Sequence, residues 1–357
     1  MFDDLYRGRR VVITGHTGFK GSWLTLWLRK LGAEVCGIAL PMNEPCHYNL
    51  LKPQIRSEYL DIRDLDALKN IFADFQPEAV FHLAAQPLVR RSYLEPVETF
   101  AVNVLGTVNV LEACRLTPSV RAIVAVTSDK CYENRERDRG YREDEPMGGH
   151  DPYSASKGCA ELVASGYRRS FFSVPGAPLL ATGRAGNVIG GGDWAEDRLV
   201  PDLMRAAAAG RPAELRNPGS VRPWQHVLEP LSGYLALGAK LLSGCREFAS
   251  AWNFGPAEAE AVTVGAAAAA LAGHWDRIRI VSANTPALGP HEAGLLRLNC
   301  DKAAEQLGWH GVWSPQETFE RTAAWYREFH TSGRVNTLED LERYTADAVE
   351  RKLPWTK

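Results

Sequence analysis

A tyrosine and a lysine four residues apart, Tyr153 and Lys157 in YSASK, form the most chemically suggestive pair in this 357-residue chain. On a helix, positions i and i+4 share a face, so the lysine ammonium can stand beside the phenol. A nearby cation favours phenolate and lowers a tyrosine pKa from about 10. Such a pair is a general base able to take a proton from a hydroxyl while hydride leaves the same carbon. Upstream, Thr127-Ser128-Asp129-Lys130 follows the apolar run AIVAV. Ser128 can hydrogen-bond the reacting hydroxyl. Asp129 and Lys130 add an acid and a base, which simple alcohol oxidation does not require and an elimination does.

A hydride needs an acceptor, and Gly15-His16-Thr17-Gly18-Phe19-Lys20-Gly21 offers a place for one. The loop lies between a predicted strand and a predicted helix. There the glycines provide a tight turn, close backbone approach to a pyrophosphate and tight helix–strand packing, and the helix N-terminus faces the phosphates. The loop does not end in Gly-Lys-Ser/Thr, which argues against a nucleoside triphosphate site. A ribose-binding acid belongs about 20 residues past the glycines. The second strand instead runs into Ala39-Leu40-Pro41, with Glu44 the nearest acid and no arginine for a 2'-phosphate. The residues themselves therefore leave NAD and NADP open. His16 and Lys20 are candidate positive charges, and Asp61 and Asp64 are candidate partners for an adenine edge or helix caps.

The elements that must carry these groups are legible from hydrophobic period. Short apolar runs at Arg10–Thr14, Glu34–Leu40, Ala79–Leu83, Ala122–Thr127 and Pro178–Arg184 read as strands buried on both faces. Helical spacing appears between them: Trp23 to Leu31, about 64–75, 97–116 and 153–172. That alternation predicts an α/β, Rossmann-type, doubly wound parallel sheet over residues 1–186. A smaller mixed substrate-binding domain is expected from 187–357, with a return to the first domain around 225–243. Short strands are expected at Trp252–Phe254 and Ile278–Val281. Phe319 falls in a pair of otherwise charged C-terminal helices.

Composition limits the function classes. Forty-one Lys+Arg against 43 Asp+Glu give a net charge of -2, so no overall basic field awaits a nucleic-acid backbone. The seven cysteines are scattered without a Cys-x-x-Cys pair, which fits a reduced, intracellular protein. The N-terminal MFDDLYRGRRVVITG lacks the order of a secretory signal, and Val262–Ala272 is too short to span a bilayer. The histidines show no metal-binding spacing. A cytoplasmic enzyme without metal, membrane or nucleic-acid partner is expected.

These motifs resemble those of the extended short-chain dehydrogenases/reductases, and within them the nucleotide-sugar 4,6-dehydratases. The resemblance covers essentially the whole chain. It rests on GHTGFKGSW (15–23), HLAAQPLVRRSY (82–93), NVLGT (103–107), TSDKCYEN (127–134), GGHDPYSASKG (148–158), RAGNVIGGGDWAEDR (184–198) and RPWQHVLEPLSGY (222–234). Asp129-Lys130 is similar to the pair of the CDP-glucose group, where dTDP- and GDP-sugar dehydratases carry Asp-Glu or Glu-like residues. The resemblance implies NAD as cofactor, held by Gly15, Thr17, Gly18, Phe19, Lys20, Gly21, Asp61, Ile62, Leu83, Ala84, Ala85, Gln86, Asn103, Tyr153 and Lys157. It implies Ser128, Asp129, Lys130, Tyr153 and Lys157 as the catalytic set. Gln86, Arg90, Ser128, Asn187, Arg198 and Arg222 would meet CDP-D-glucose, Arg222 as the diphosphate clamp, with Lys302 a weaker candidate. The implied reaction is C4 oxidation, C5/C6 elimination and hydride return to C6, serving deoxysugar and O-antigen-type polysaccharide synthesis. A 4-epimerase shares Tyr-x-x-x-Lys but needs no Asp-Lys pair. At least a homodimer is implied, paired through a four-helix bundle built from helices near 96–115 and 153–172.

Overall fold

The computed structural model describes residues 1–215, 217–257, 260–282 and 294–357. Its main sheet uses β1 (Arg10–Thr14), β2 (Glu34–Ala39), β3 (Arg56–Tyr59), β4 (Ala79–His82), β5 (Ala122–Val126) and β6 (Leu179–Arg184). A seventh strand, Ala251–Asn253, joins at the β6 edge, giving the order Ala251–Asn253, β6, β5, β4, β1, β2, β3. Every pairing in this sheet is parallel. The order reverses between β1 and β4, and such a switch point opens a crevice at the C-terminal strand ends.

Alternation within each strand sorts the core into two layers. Val11, Ile13, Val124 and Val126 face one side, with Trp23, Trp27 and the helix Leu228–Leu242. Val12, Ile123 and Ala125 face the other, with Phe72, Val110 and Leu111. Both faces are covered, which is why these strands read as continuous apolar runs.

The return to the first domain is longer than the expected 225–243. Strand Ala251–Asn253 pairs with Thr182–Arg184, because Trp252 needs the buried edge beside β6. Helix Thr337–Glu350 and Trp355 also pack on the first core, where Trp355 stacks on Phe2 at 5.3 Å. The smaller second core gathers Val200, Leu203, Trp224, Leu271, Phe319 and Trp325.

One long helical stretch, Pro96–Leu116, widens to a π turn at Ala101–Leu105. By length and composition it could cross a membrane. Its Thr99, Asn103 and Thr107 are nevertheless buried and hydrogen-bonded to Gln86, Ser156 and His82. Such π turns commonly reposition side chains at functional sites; this one turns Asn103 inward.

Candidate active site

The catalytic helix starts where Asp151 caps it. The Asp151 carboxylate accepts from the Ser154 N–H at 2.9 Å and the Ser154 hydroxyl at 2.6 Å, and Pro152 takes the first helical position. Tyr153, Lys157 and Glu161 then follow at steps of four on one face, all buried. Against the expected lowering beside Lys157, burial pushes the Tyr153 phenol up to about 12, while the Ser128 hydrogen bond pulls the other way. Burial draws Lys157 down to about 8, against the pull of Glu161. The Lys157 ammonium donates to the Val126 carbonyl at 3.4 Å, which fixes the helix to the end of β5.

Glu161 was not among the expected site residues. Its carboxylate accepts from Thr127 Oγ1 (2.5 Å), Thr182 Oγ1 (2.8 Å), and Arg184 Nε and Nη2 (2.9 Å each). Burial raises its pKa, and Arg184 with the two threonines more than reverses this, holding it below the usual carboxylate range. Arg184 continues the network to Tyr132 OH at 2.6 Å, and Tyr132 to Asn253 at 2.7 Å. The available signal was an acid four residues past Lys157.

At the end of β5, Ser128 caps a single turn. Its hydroxyl accepts from the Lys130 N–H at 3.2 Å and donates to Asp129 Oδ1 at 2.9 Å. The other Asp129 oxygen is buried without a partner. It lies against Gly186, where a Cβ would stand only 1.9 Å away. The Lys130 side chain is half-buried and makes no hydrogen bond or ion pair among the described residues.

The glycine loop has the geometry of a phosphate cradle. Gly15 has φ +78°, and a Cβ there would be 2.8 Å from the Ala84 nitrogen; at Gly21 one would be 2.0 Å from the Gly15 carbonyl. Gly18 caps the helix Phe19–Lys30 without a side chain, so the first N–H groups face outward. Thr17 Oγ1 donates to the Leu40 carbonyl, and Thr14 Oγ1 accepts from the N–H groups of Leu83 and Ala84, tying Leu83-Ala84-Ala85 to β1. Phe19 reaches toward Gly190. This cradle and the unpartnered Asp129 oxygen fit a dinucleotide and a hydroxylated substrate.

Other expected residues are placed differently. His16 supplies no charge: burial drives its pKa down to about 4. Asp61 is chelated by Arg63, and Asp64 caps the next helix through the Ala67 N–H. Ile62 packs beneath Gly106. The Gln86 amide is engaged by Leu88 and Thr99, and Asn103 bonds the Gln86 backbone on both sides, so this pair shapes the turn after β4.

On the facing wall, Asn187 sits at φ +47°, an uncommon conformation for a non-glycine residue that marks candidate functional positions. Arg198 pairs with Asp193 at 3.0 Å, and its charge is felt by Tyr153, so it stands in the catalytic chamber. Arg90 reaches Asp197 at 3.4 Å. Arg222 is buried on a two-residue strand, Val221–Arg222, and donates to the Val221 and Gly294 carbonyls. Lys302 is structural: it donates to Ser250 and Ala251 and covers the Trp252 ring.

The sequence profile of the NAD dependent epimerase/dehydratase family matches residues 11–244. The chain belongs to this family. Across the epimerase/dehydratase family it is similar to the CDP-glucose 4,6-dehydratase of Salmonella typhimurium, 49% identical over 91% of this chain and 92% of the relative. Among solved structures it resembles the Thermus thermophilus UDP-glucose 4-epimerase in complex with NAD, with TM-score 0.76, 27% identity, and coverage of 89% of this chain and 99% of that one. It also resembles MoeE5 in complex with UDP-glucose and NAD, with TM-score 0.73, 26% identity and the same coverage.

Proposed function

We propose that the chain is an NAD-dependent hydro-lyase converting CDP-D-glucose to CDP-4-dehydro-6-deoxy-D-glucose and water. One observation carries this beyond family membership: Asp129 and Lys130 stand at the end of β5 beside the Ser128, Tyr153 and Lys157 set. Identity to the Salmonella enzyme supports the substrate. NAD, when bound, accepts the sugar's C4 hydride and returns it to C6.

The chain's own residues would do the rest. Tyr153, steadied by Ser128, takes the 4-hydroxyl proton, and Lys157 stabilises the phenolate. The 4-ketone acidifies C5–H; Lys130 removes that proton and Asp129 protonates the departing 6-hydroxyl. Gly15, Thr17, Gly18, Phe19 and Gly21 would cradle the pyrophosphate, and Leu83, Ala84 and Ala85 line the crevice. Asn187, Arg198 and Arg222 would meet the nucleotide sugar. A 4-epimerase has no use for Asp129 and Lys130 as a pair.

Deuterium placed at C4 of CDP-glucose is expected at C6 of the product, with one solvent deuteron at C5 in heavy water. Oxygen retained at C6 would refute dehydration, and faster turnover of dTDP- or GDP-glucose would refute the substrate. Lys130→Ala is expected to stall after oxidation, accumulating a 4-keto sugar that still bears its 6-hydroxyl.

The same reading makes the enzyme cytoplasmic and at least a homodimer. Exposed Val97, Phe100, Leu105 and Leu162 support pairing through the helices Pro96–Leu116 and Pro152–Ser170. Sedimentation at working concentration tests it, and a monomer would end the idea.

A further inference from the structure

Lys20 is a cation for which the reaction above has no use. It is the second residue of the helix after the glycine loop, yet its side chain leaves the loop for the catalytic chamber. Its ammonium lies 6.0 Å from the centre of the Tyr234 ring. That ring packs on the C-terminal end of β6, where a Cβ at Gly183 would be 2.6 Å from it, and the Tyr234 hydroxyl is buried without a partner. The charges facing Lys20 come from three further elements: Arg198 and Asp193 from the loop after Ile189, Lys157 from the catalytic helix, and Asp129 from the turn after β5. Lys20 makes no hydrogen bond or ion pair among the described residues. Desolvation, then repulsion by Arg198 and Lys157, brings its pKa down to about 7. A cation held without a direct ion-pair partner, in a low-dielectric chamber, alters the energy of whatever charge arrives beside it.

We propose that Lys20 poises the bound nicotinamide to accept hydride, disfavouring its positively charged oxidised ring relative to the neutral reduced ring. This rests on the NAD-dependent reading above. In the first step the sugar C4–H bond breaks, both electrons pass with the hydrogen to the nicotinamide, and the hydroxyl proton passes to Tyr153. The ring thereby goes from positive to neutral beside a cation. The return step tolerates this poise, because loss of water leaves a C5=C6 double bond conjugated to the 4-ketone. That alkene accepts hydride at C6 and a proton at C5.

The test is equilibrium binding of NAD+ and of NADH to the full-length chain freed of cofactor, for the unaltered protein, Lys20→Met and Lys20→Arg, from about pH 6 to about pH 8. In the unaltered protein the ratio Kd(NAD+)/Kd(NADH) is expected to fall as pH rises through about 7, since protonated Lys20 penalises NAD+. Lys20→Met is expected to lower the ratio at pH 6 about tenfold, chiefly by tightening NAD+, and to remove its step near neutrality. Lys20→Arg, which keeps the charge, should hold the ratio high and flat, and it serves if the methionine variant misfolds. His16, at about 4, and His82, at about 3, are neutral across this range and cannot imitate the effect. Lys157, at about 8, is present in all three proteins. Equal weakening of NAD+ and NADH in Lys20→Met would make Lys20 a phosphate ligand and overturn the inference, as would an unchanged ratio. Failure of the unaltered chain to bind either form would overturn the NAD reading itself.

Discussion

Two glutamates are buried among the described residues, and their surroundings drive them in opposite directions. Glu161 lies between the catalytic helix and the ends of β5 and β6, where Arg184, Thr127 and Thr182 donate to it. Glu229 lies in the seam where the helix Leu228–Leu242 meets the C-terminal segment. It accepts from the N–H groups of Val312 (2.9 Å) and Trp313 (2.7 Å) and from Tyr344 OH (2.7 Å). Burial raises both. Arg184 overcomes it at Glu161, whereas Glu229, with only neutral donors in contact, is pushed up to about 7. A buried carboxylate stays charged when a cation shares its burial, and near neutrality it titrates when hydrogen bonds alone support it. The fold therefore gives Lys157 a permanent anion one helical turn behind it, and gives the rear seam a titrating acid.

Several substitutions would break or sharpen that contrast. Tyr153→Phe removes the outermost group of the Tyr153, Lys157, Glu161 ladder and leaves the acid behind it intact. Turnover is expected to fall by about 10³–10⁴-fold with an unchanged unfolding midpoint, measured by product formation and thermal denaturation. A comparable loss of stability would show the phenol to be part of the support.

Glu161→Gln strikes the support itself, leaving the Arg184 guanidinium buried without its counter-charge. A loss of about 3–5 kcal/mol is expected in denaturant unfolding. In the unaltered protein, the Glu161 contribution is present above the ordinary carboxyl pKa and is lost as pH falls through its lowered folded value. A change under about 1 kcal/mol would mean that the pair is no stronger than a surface one.

Glu229→Gln should cost less, about 1–3 kcal/mol, because no charge is left unpaired. Its signature is pH dependence of the opposite sign. The folded pKa, about 7, exceeds the ordinary 4.5, so the contribution is complete below about 4.5 and is lost as pH rises toward about 7. The stability difference between unaltered and variant protein should shrink over that window, and a flat difference would remove the contrast. Arg90→Ala is the smallest change. Its pair with Asp197 is half-exposed, with side chains 33% and 41% accessible, so stability should move by less than about 1 kcal/mol. Any effect should appear in KM for the nucleotide sugar.

Much of this architecture was written in local pattern. The strand runs could be read because both sheet faces are covered; YSASK and the glycine loop could be read because their spacing places groups within one helical turn or one strand–helix junction. Asp64 was legible as a cap for the same reason. Glu161 could have been noticed as the next acid on the Lys157 face. Its partner Arg184 could not, since that contact depends on β6 lying beside β5 in the register that sets Leu179 against Ala122.

The chain's local order thus determined which helices and strands form and which side chains share a face, because those are contests between neighbours within a few residues. Tertiary structure alone decided the charges. Packing made His16 neutral, closed Arg63 on Asp61, turned Lys20 into the chamber with Lys157 and Arg198, and separated Glu161 from Glu229. It also carried Ala251–Asn253 to the sheet edge and Trp355 onto Phe2. The physical reason is common to all of these. Desolvation and Coulomb energies depend on distances in space, and residues far apart in the chain set those distances only once the core has closed.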